Sequence, residues 1–363
     1  MNACRLGKVG GQAVIEGVMM KAGEKTVTTC RKEDGTLVVT DGTFHSVRKK
    51  HKILNIPILR GVINFVEMMI LSVKTLTISA DALDLDVDED GNKQEDSKLI
   101  SVLMIAATVL GVVLAIGLFM FLPNFLTGLF SEYVFELGAW EAVAEGIMKI
   151  AIFLAYLSLV SLMKDIKRTF MYHGAEHKSI ACFEAGAELT PENAKNYKRF
   201  HPRCGTSFMF FMILLGIIAG LFVKLIFDDL HTVAYTGIRL ALLPVVMGLG
   251  YEFILFAGKH DNALTRILSA PGLWVQRITT KEPTEDMLEV AIISLKCALR
   301  DEFPDFKEFY EQRPWESRAD GESSESDGAV SEDAELSSEA KTASESDIMP
   351  ENDATATEDA KEQ

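Results

Sequence analysis

The sequence predicts a mainly α membrane protein. About four transmembrane helices are joined to a small N-terminal cytosolic β unit and a cytosolic helical hairpin. Three observations predict it. Four long stretches are apolar and nearly free of charge. The loops between them divide Lys and Arg unequally. The first 50 residues alternate strand-forming runs with glycines instead.

Residues 1–50 form the β unit. Residues 10–20 read as one strand-like run, and 26–32 and 36–40 flank Asp34-Gly35, a hairpin signal in which both turn positions take positive φ. Within 51–83, the apolar run 56–83 is interrupted by Arg60, Glu67, Lys74 and Asp81 at intervals of seven. On a helix these make one slowly drifting stripe, so the segment is expected as an amphipathic helix at the membrane interface. A solvated stripe is preferred to one packed on protein. Residues 84–98 are an acidic linker.

The region 99–258 carries the spans. The stretch 99–122 lacks charge over a length that crosses a hydrocarbon core of about 30 Å, and 147–163, 207–227 and 237–257 complete the set. Lys224 and Glu252 lie in the last two. Loop 164–206 holds eight Lys and Arg, whereas 123–146 and 228–236 hold none. The positive-inside rule then puts loop 164–206 and both termini in the cytosol of a multi-pass plasma-membrane protein. Within that loop, Thr190-Pro191-Glu192 starts a helix expected over 191–200, antiparallel to one over 170–186. In 259–312, residues 269–277 suit a segment at headgroup level, and Pro283 opens an amphipathic helix to about Arg300 capped by Thr284. From Trp315 onward there are 16 acidic residues against 3 basic ones, so 313–363 is expected as a disordered acidic tail.

The chemistry concentrates in Tyr172-His173-Gly174-Ala175-Glu176-His177-Lys178. His173 and His177 stand four apart, so on a helix their rings leave one face and can share a metal ion. Glu176 is placed to act as general base on water held by such an ion. The His-x-x-Glu-His order is that of an inverted zinc-peptidase helix. Candidates to complete the ligand sphere are His201, Cys204, Glu184, seven residues past His177, and the intramembrane Glu252. Glu16 and Glu67 rank lower. A histidine-rich set suits a divalent transition metal, zinc first, with manganese or iron open. The chain has a net charge of −16, and nucleic acid is not expected as a partner. Five cysteines follow no disulfide framework.

The stretches GGQAVIEGVMMK (10–21), RGVINFVEM (60–68), YHGAEHKSIACFEAG (172–186), RFHPRCGTSF (199–208), LLPVVMGLGYE (242–252) and APGLWVQRITTKEP (270–283) resemble the YqhQ-like family, bacterial membrane proteins of unknown function. The resemblance implies membership and a suspected metal-dependent enzyme, with no reaction supplied. The expected function is a metal-dependent hydrolase at the cytosolic face, acting on a lipid or peptide held by the bilayer. An anionic lipid or a membrane peptide is the expected substrate class. The rival is a non-enzymatic transporter, scaffold or assembly factor.

Overall fold

The computed structural model describes residues 5–319 apart from 50, 84–97, 135, 138–139, 202, 228–230, 260–262, 304–305 and 307–315. Strands β1 (Val9–Val14), β2 (Gly17–Ala22), β3 (Lys25–Arg31) and β4 (Leu37–Thr43) form an antiparallel meander. The run 10–20, expected as one strand, is instead a hairpin. Val14 pairs with Gly17 across Ile15-Glu16, and Glu16 takes φ 48°. The turn after β3 also differs from the expected form. Gly35 N–H bonds Lys32 O at 3.0 Å, and within that loop only Gly35 has positive φ, a three-residue loop with a bulge.

Alternation along the strands gives the sheet two apolar faces. Val18, Met20, Val27 and Val39 pack on α10 (Glu285–Ala298) and on α5 (Lys164–Ala185). Val14, Met19, Cys30 and Val38 pack on α1 (Leu59–Ala82) through Leu71 and Ala82. The Ser294 hydroxyl reaches the Val18 and Val27 carbonyls at 3.0 and 2.7 Å, so α10 is bonded to the sheet as well as packed on it. Thr284 is the residue before α10, although its side chain makes no cap bond. A short strand β5 (Glu316–Ala319) runs parallel to β4. This differs from the expected tail at 316–319; the other tail residues, 313–315 and 320–363, and the linker residues 84–97 lie outside the described residues.

Among the described residues, five helices are long and apolar enough to cross a membrane: Leu59–Ala82, Thr108–Tyr133, Val143–Val160, Gly205–Ile226 and Val233–Phe256. Four coincide with the expected spans and α1 is the fifth. The first expected span does not stop at 122. α2 (Lys98–Ile116) passes through a π-turn at Gly117–Phe121 into α3 (Leu122–Tyr133). α4 (Glu141–Val160), α7 (Gly205–Ile226) and α8 (Thr232–Lys259) follow. Large apolar side chains such as Leu114, Leu225 and Ile226 point outward, the reverse of a water-soluble helix and consistent with lipid contact.

The charged stripe of α1 packs on protein in its first half, against the preferred expectation. Arg60 pairs with Glu252 of α8 through two bonds, one at 2.6 Å. Glu67 is buried and accepts from the Ser46 hydroxyl and the Val47 N–H at 2.8 Å each. Lys74 and Asp81 are exposed. The second half of α1 lies on the sheet, with the Ser72 hydroxyl donating to the Gln12 side chain at 2.6 Å. The expected helical hairpin in loop 164–206 is likewise corrected. α5 is long, but the returning arm is one helical turn, α6 (Pro191–Ala194), capped by Thr190, and 195–200 is irregular.

The α10–sheet core should be the stability anchor of the non-membrane part. Leu295→Ala is expected to cost about 2–5 kcal/mol, since Leu295 is fully buried. Ile53→Ala, at an exposed position, should cost well under half of that. Denaturant titration of the purified protein, following Trp fluorescence, compares the two.

Candidate metal centre

α5 begins after Met163 with Asp165 in its first turn, where a negative charge suits the helix dipole. It ends at Gly186, which takes φ 78° and returns its N–H to Phe183 O at 3.0 Å. Between these ends His173 and His177 meet edge to face one turn apart, with ring centroids 4.4 Å apart. Each ring is held by a backbone carbonyl. His173 Nδ1 donates to Thr279 O at 2.9 Å, and His177 Nδ1 to Arg199 O at 2.6 Å. A carbonyl only accepts, so each Nδ1 carries the proton and each Nε2 keeps a lone pair. Burial pushes His177 below the usual imidazole range, against the opposing pull of Cys204 and the Arg199 carbonyl, which favours the neutral ring.

Cys204 supplies the third donor. Its Sγ lies 3.2 Å from His173 Nε2, and one donor atom from each of His173, His177 and Cys204 falls within 4.8 Å of the others. Two imidazole nitrogens and a sulfur on three sides, with protons turned outward, fit a zinc-class ion with one coordination position left over.

Three separate stretches are brought together here. Gly174 lets the chain after α9 (Ala263–Thr279) cross α5 closely. A Cβ at that position would lie 2.1 Å from Lys281 O. The crossing is fixed by Lys281 N–H donating to Phe170 O at 2.8 Å, and it delivers the Thr279 carbonyl to His173. Gln276, fully buried on α9, grips the loop that carries Arg199 and Cys204. Its amide accepts from His201 N–H and donates to His201 O, both at 2.8 Å, and donates to the Ser207 hydroxyl at 2.9 Å. Cys204 itself caps α7, with Thr206 N–H donating to its sulfur at 3.5 Å.

Glu176 lies on the same turn, nearly fully buried, with one carboxylate oxygen 4.0 Å from His173 Nε2. Burial pushes its carboxyl up to about 7, although His173 and the Gly11 N–H of β1 pull the other way. That is the range in which a carboxyl exchanges protons at neutral pH.

The other expected ligands are engaged elsewhere. Glu184 holds Arg203, lies 3.4 Å from His201 Nε2 and accepts from Gly7 N–H at 3.0 Å. Burial acts to raise Glu184, but those partners together bring it below the ordinary carboxylate range. His201 stands beside the centre, its ring centroid 5.6 Å from that of His177, yet its Nε2 faces Glu184. Glu252 is bound to Arg60, Glu67 to the 46–47 turn, and Glu16 to Arg168. In this structure these carboxylates face cationic or N–H donors rather than the cluster of His173, His177 and Cys204. Sequence reasoning missed Gly174, Gln276, Thr279 and Glu282, the last bridging Lys178 and Arg199. A fully polar glutamine within the amphipathic run 270–280 was the one available signal.

Comparison with known proteins places the chain in a family. The family model described as "Protein of unknown function (DUF1385)" matches residues 56–301. "Uncharacterized protein YqhQ" of Bacillus subtilis (strain 168) is 36% identical over 302 residues, covering 80% of this chain and 92% of that protein. No solved structure matches the chain. None of these descriptions carries a reaction or a metal.

The crossing at Gly174 gives a direct test. Gly174→Ala should push the 279–281 segment away and free the His173 ring, lowering affinity for zinc by about 10- to 100-fold, the usual effect of losing an outer-shell partner. Competition with a chromophoric chelator measures it.

Proposed function

The chain belongs to the DUF1385 family, and from that premise we propose that it is a membrane-embedded, metal-dependent hydrolase. The observation that carries the reading is the pair of Nδ1–carbonyl contacts, which leaves two Nε2 lone pairs beside the Cys204 sulfur, with the three residues' donor atoms within 4.8 Å of one another. His173, His177 and Cys204 would hold the ion, and a bound zinc-class ion supplies Lewis acidity toward a polar bond and toward water. Glu176 takes a proton from water and returns it to the leaving group. Its burial and its distance from His173 suit that task. Thr279 and Arg199 fix the imidazoles through their carbonyls, and Gln276 keeps the cysteine loop from drifting.

The Lys and Arg asymmetry of the loops supports a centre on the cytosolic face. The second half of α1 is packed on the sheet, so we read α1 as lying along that face with four helices crossing. A substrate reaching the centre is then a lipid or a peptide of the membrane.

Two measurements test the reading. Metal analysis of the purified protein should find about one equivalent of zinc-class metal, lost in His173→Ala, His177→Ala and Cys204→Ser. Glu176→Gln should keep the metal and lose cellular function in a strain lacking the native copy, because the amide matches the carboxylate in shape but accepts no proton. Full function in Glu176→Gln would mark the ion as a structural clip of a non-enzymatic scaffold.

For orientation, a cysteine placed at 231 should react with an impermeant maleimide on intact cells, and one at 195 should not. The reverse pattern would overturn the cytosolic placement.

A further inference from the structure

Strand β1 is an outer strand of the sheet, and its free edge lies beside the histidine centre. The order β1-β2-β3-β4-β5 leaves one side of β1 without a neighbouring strand. Val14 pairs with Gly17 across a two-residue turn, and the register runs unbroken to Val9 and Ala22. In that register Gly10, Gln12 and Val14 exchange hydrogen bonds with β2. The N–H and C=O groups of Val9, Gly11 and Ala13 therefore turn away from the sheet. Gly11 N–H meets the Glu176 carboxylate. Among the described residues, no other group bonds the outward N–H and C=O of these three.

The edge runs between α5 on one face of β1 and α1 on the other. Gly11 packs toward Glu176, and Gln12 bonds Ser72. Gly10 is exposed, and a Cβ there would meet nothing within 4 Å. Sheets ordinarily blunt such an edge with lysine, proline or a bulge. Gly10-Gly11-Gln12-Ala13-Val14 has no charge, no proline and no bulge. An open strand edge offers N–H and C=O in alternation, which an extended peptide backbone matches and a lipid does not. Val9 and Ala13 stand on either side of Gly11. A strand paired with both must pass Glu176, whose carboxylate lies 4.0 Å from His173 Nε2.

Building on the hydrolase reading above, we propose that the substrate is a peptide segment, bound in extended form as an added strand on β1. Its backbone bonds Val9 and Ala13, and the amide between these anchors lies at Glu176. Hydrolysis there joins the oxygen of water to the amide carbon and breaks the C–N bond. The proton taken by Glu176 goes to the departing nitrogen. A spanning helix has no free backbone groups, so the segment recognised lies next to a span rather than within one.

Hydrogen–deuterium exchange at residue resolution reads the edge in the full chain, held in phosphatidylcholine nanodiscs. A chelator is present throughout, so the outcome does not depend on an ion at the centre. The Ala13 amide should exchange rapidly in the free chain. A mixed-sequence decapeptide library should slow it about tenfold, and the same library N-methylated at every residue should leave it unchanged. Slow exchange of Ala13 in the free chain overturns the proposal, because the edge would already be paired. An unchanged rate with the library, or an equal effect of its N-methylated form, overturns it as well. Slowing by phosphatidylglycerol in the discs, without peptide, makes the occupant a lipid and also overturns it. Zinc is then restored to test the chemistry separately. Bound peptides that stay intact support the strand site and refute the hydrolysis.

Discussion

The contact on which the candidate centre depends is the passage of the chain over Gly174. An α-helix offers its side chains outward, and two histidines one turn apart would ordinarily sample several ring orientations. The bare backbone at Gly174 lets residues 279–281 come within hydrogen-bond distance of α5. One carbonyl of that segment then fixes the first ring, and the irregular arm after α6 presents another to the second. Two neutral acceptors thereby set both tautomers without adding any charge to the pocket. The buried Gln276 amide ties the same arm to α9, so the positions of the histidines and of Cys204 are coupled through one side chain.

Charge is handled the same way elsewhere in the molecule. Outward faces of the long helices are largely apolar, and several of their ionisable groups turn inward to partners on other helices, as with Arg60 and Glu252 or Arg239 and Glu145. Each such pair crosslinks elements far apart in sequence. Helix association in lipid gains nothing from hydrophobic burial, so these contacts and the close approaches at Gly61 and Gly248 carry much of the specificity of packing.

The helical part of the fold was legible because hydrophobic length and caps are local properties. The spans, the α5 terminus at Gly186 and the Thr190 cap all follow from neighbouring residues. The Ile15-Glu16 turn was not legible, since neither residue is a usual turn former and the hairpin is imposed by pairing with β3 as well as β1. The arm 195–200 lacks the apolar spacing that would make it an amphipathic helix, and tertiary contacts through Lys178, Glu282 and Arg199 shape it instead. In the centre, histidine spacing singled out one helix face. Carboxylates such as Glu184 and Glu252 looked equally available in sequence because their arginine partners come from elsewhere. Backbone carbonyls leave no trace in sequence at all.

Strands β1 to β4 of the sheet lie within Val9–Thr43, while the helix that covers one of its faces spans Glu285–Ala298. Gly11 of β1 also reaches Glu176, and the carbonyl that orients His173 belongs to residue 279. The β1–β4 meander therefore waits, one apolar face uncovered, until α10 has been synthesised. Contacts across such sequence separations form slowly, and exposed strand edges invite wrong pairing in the interval. For this protein the hazard of biogenesis falls on its water-facing sheet rather than on its membrane helices, and a truncated chain ending before residue 285 would leave that face permanently bare.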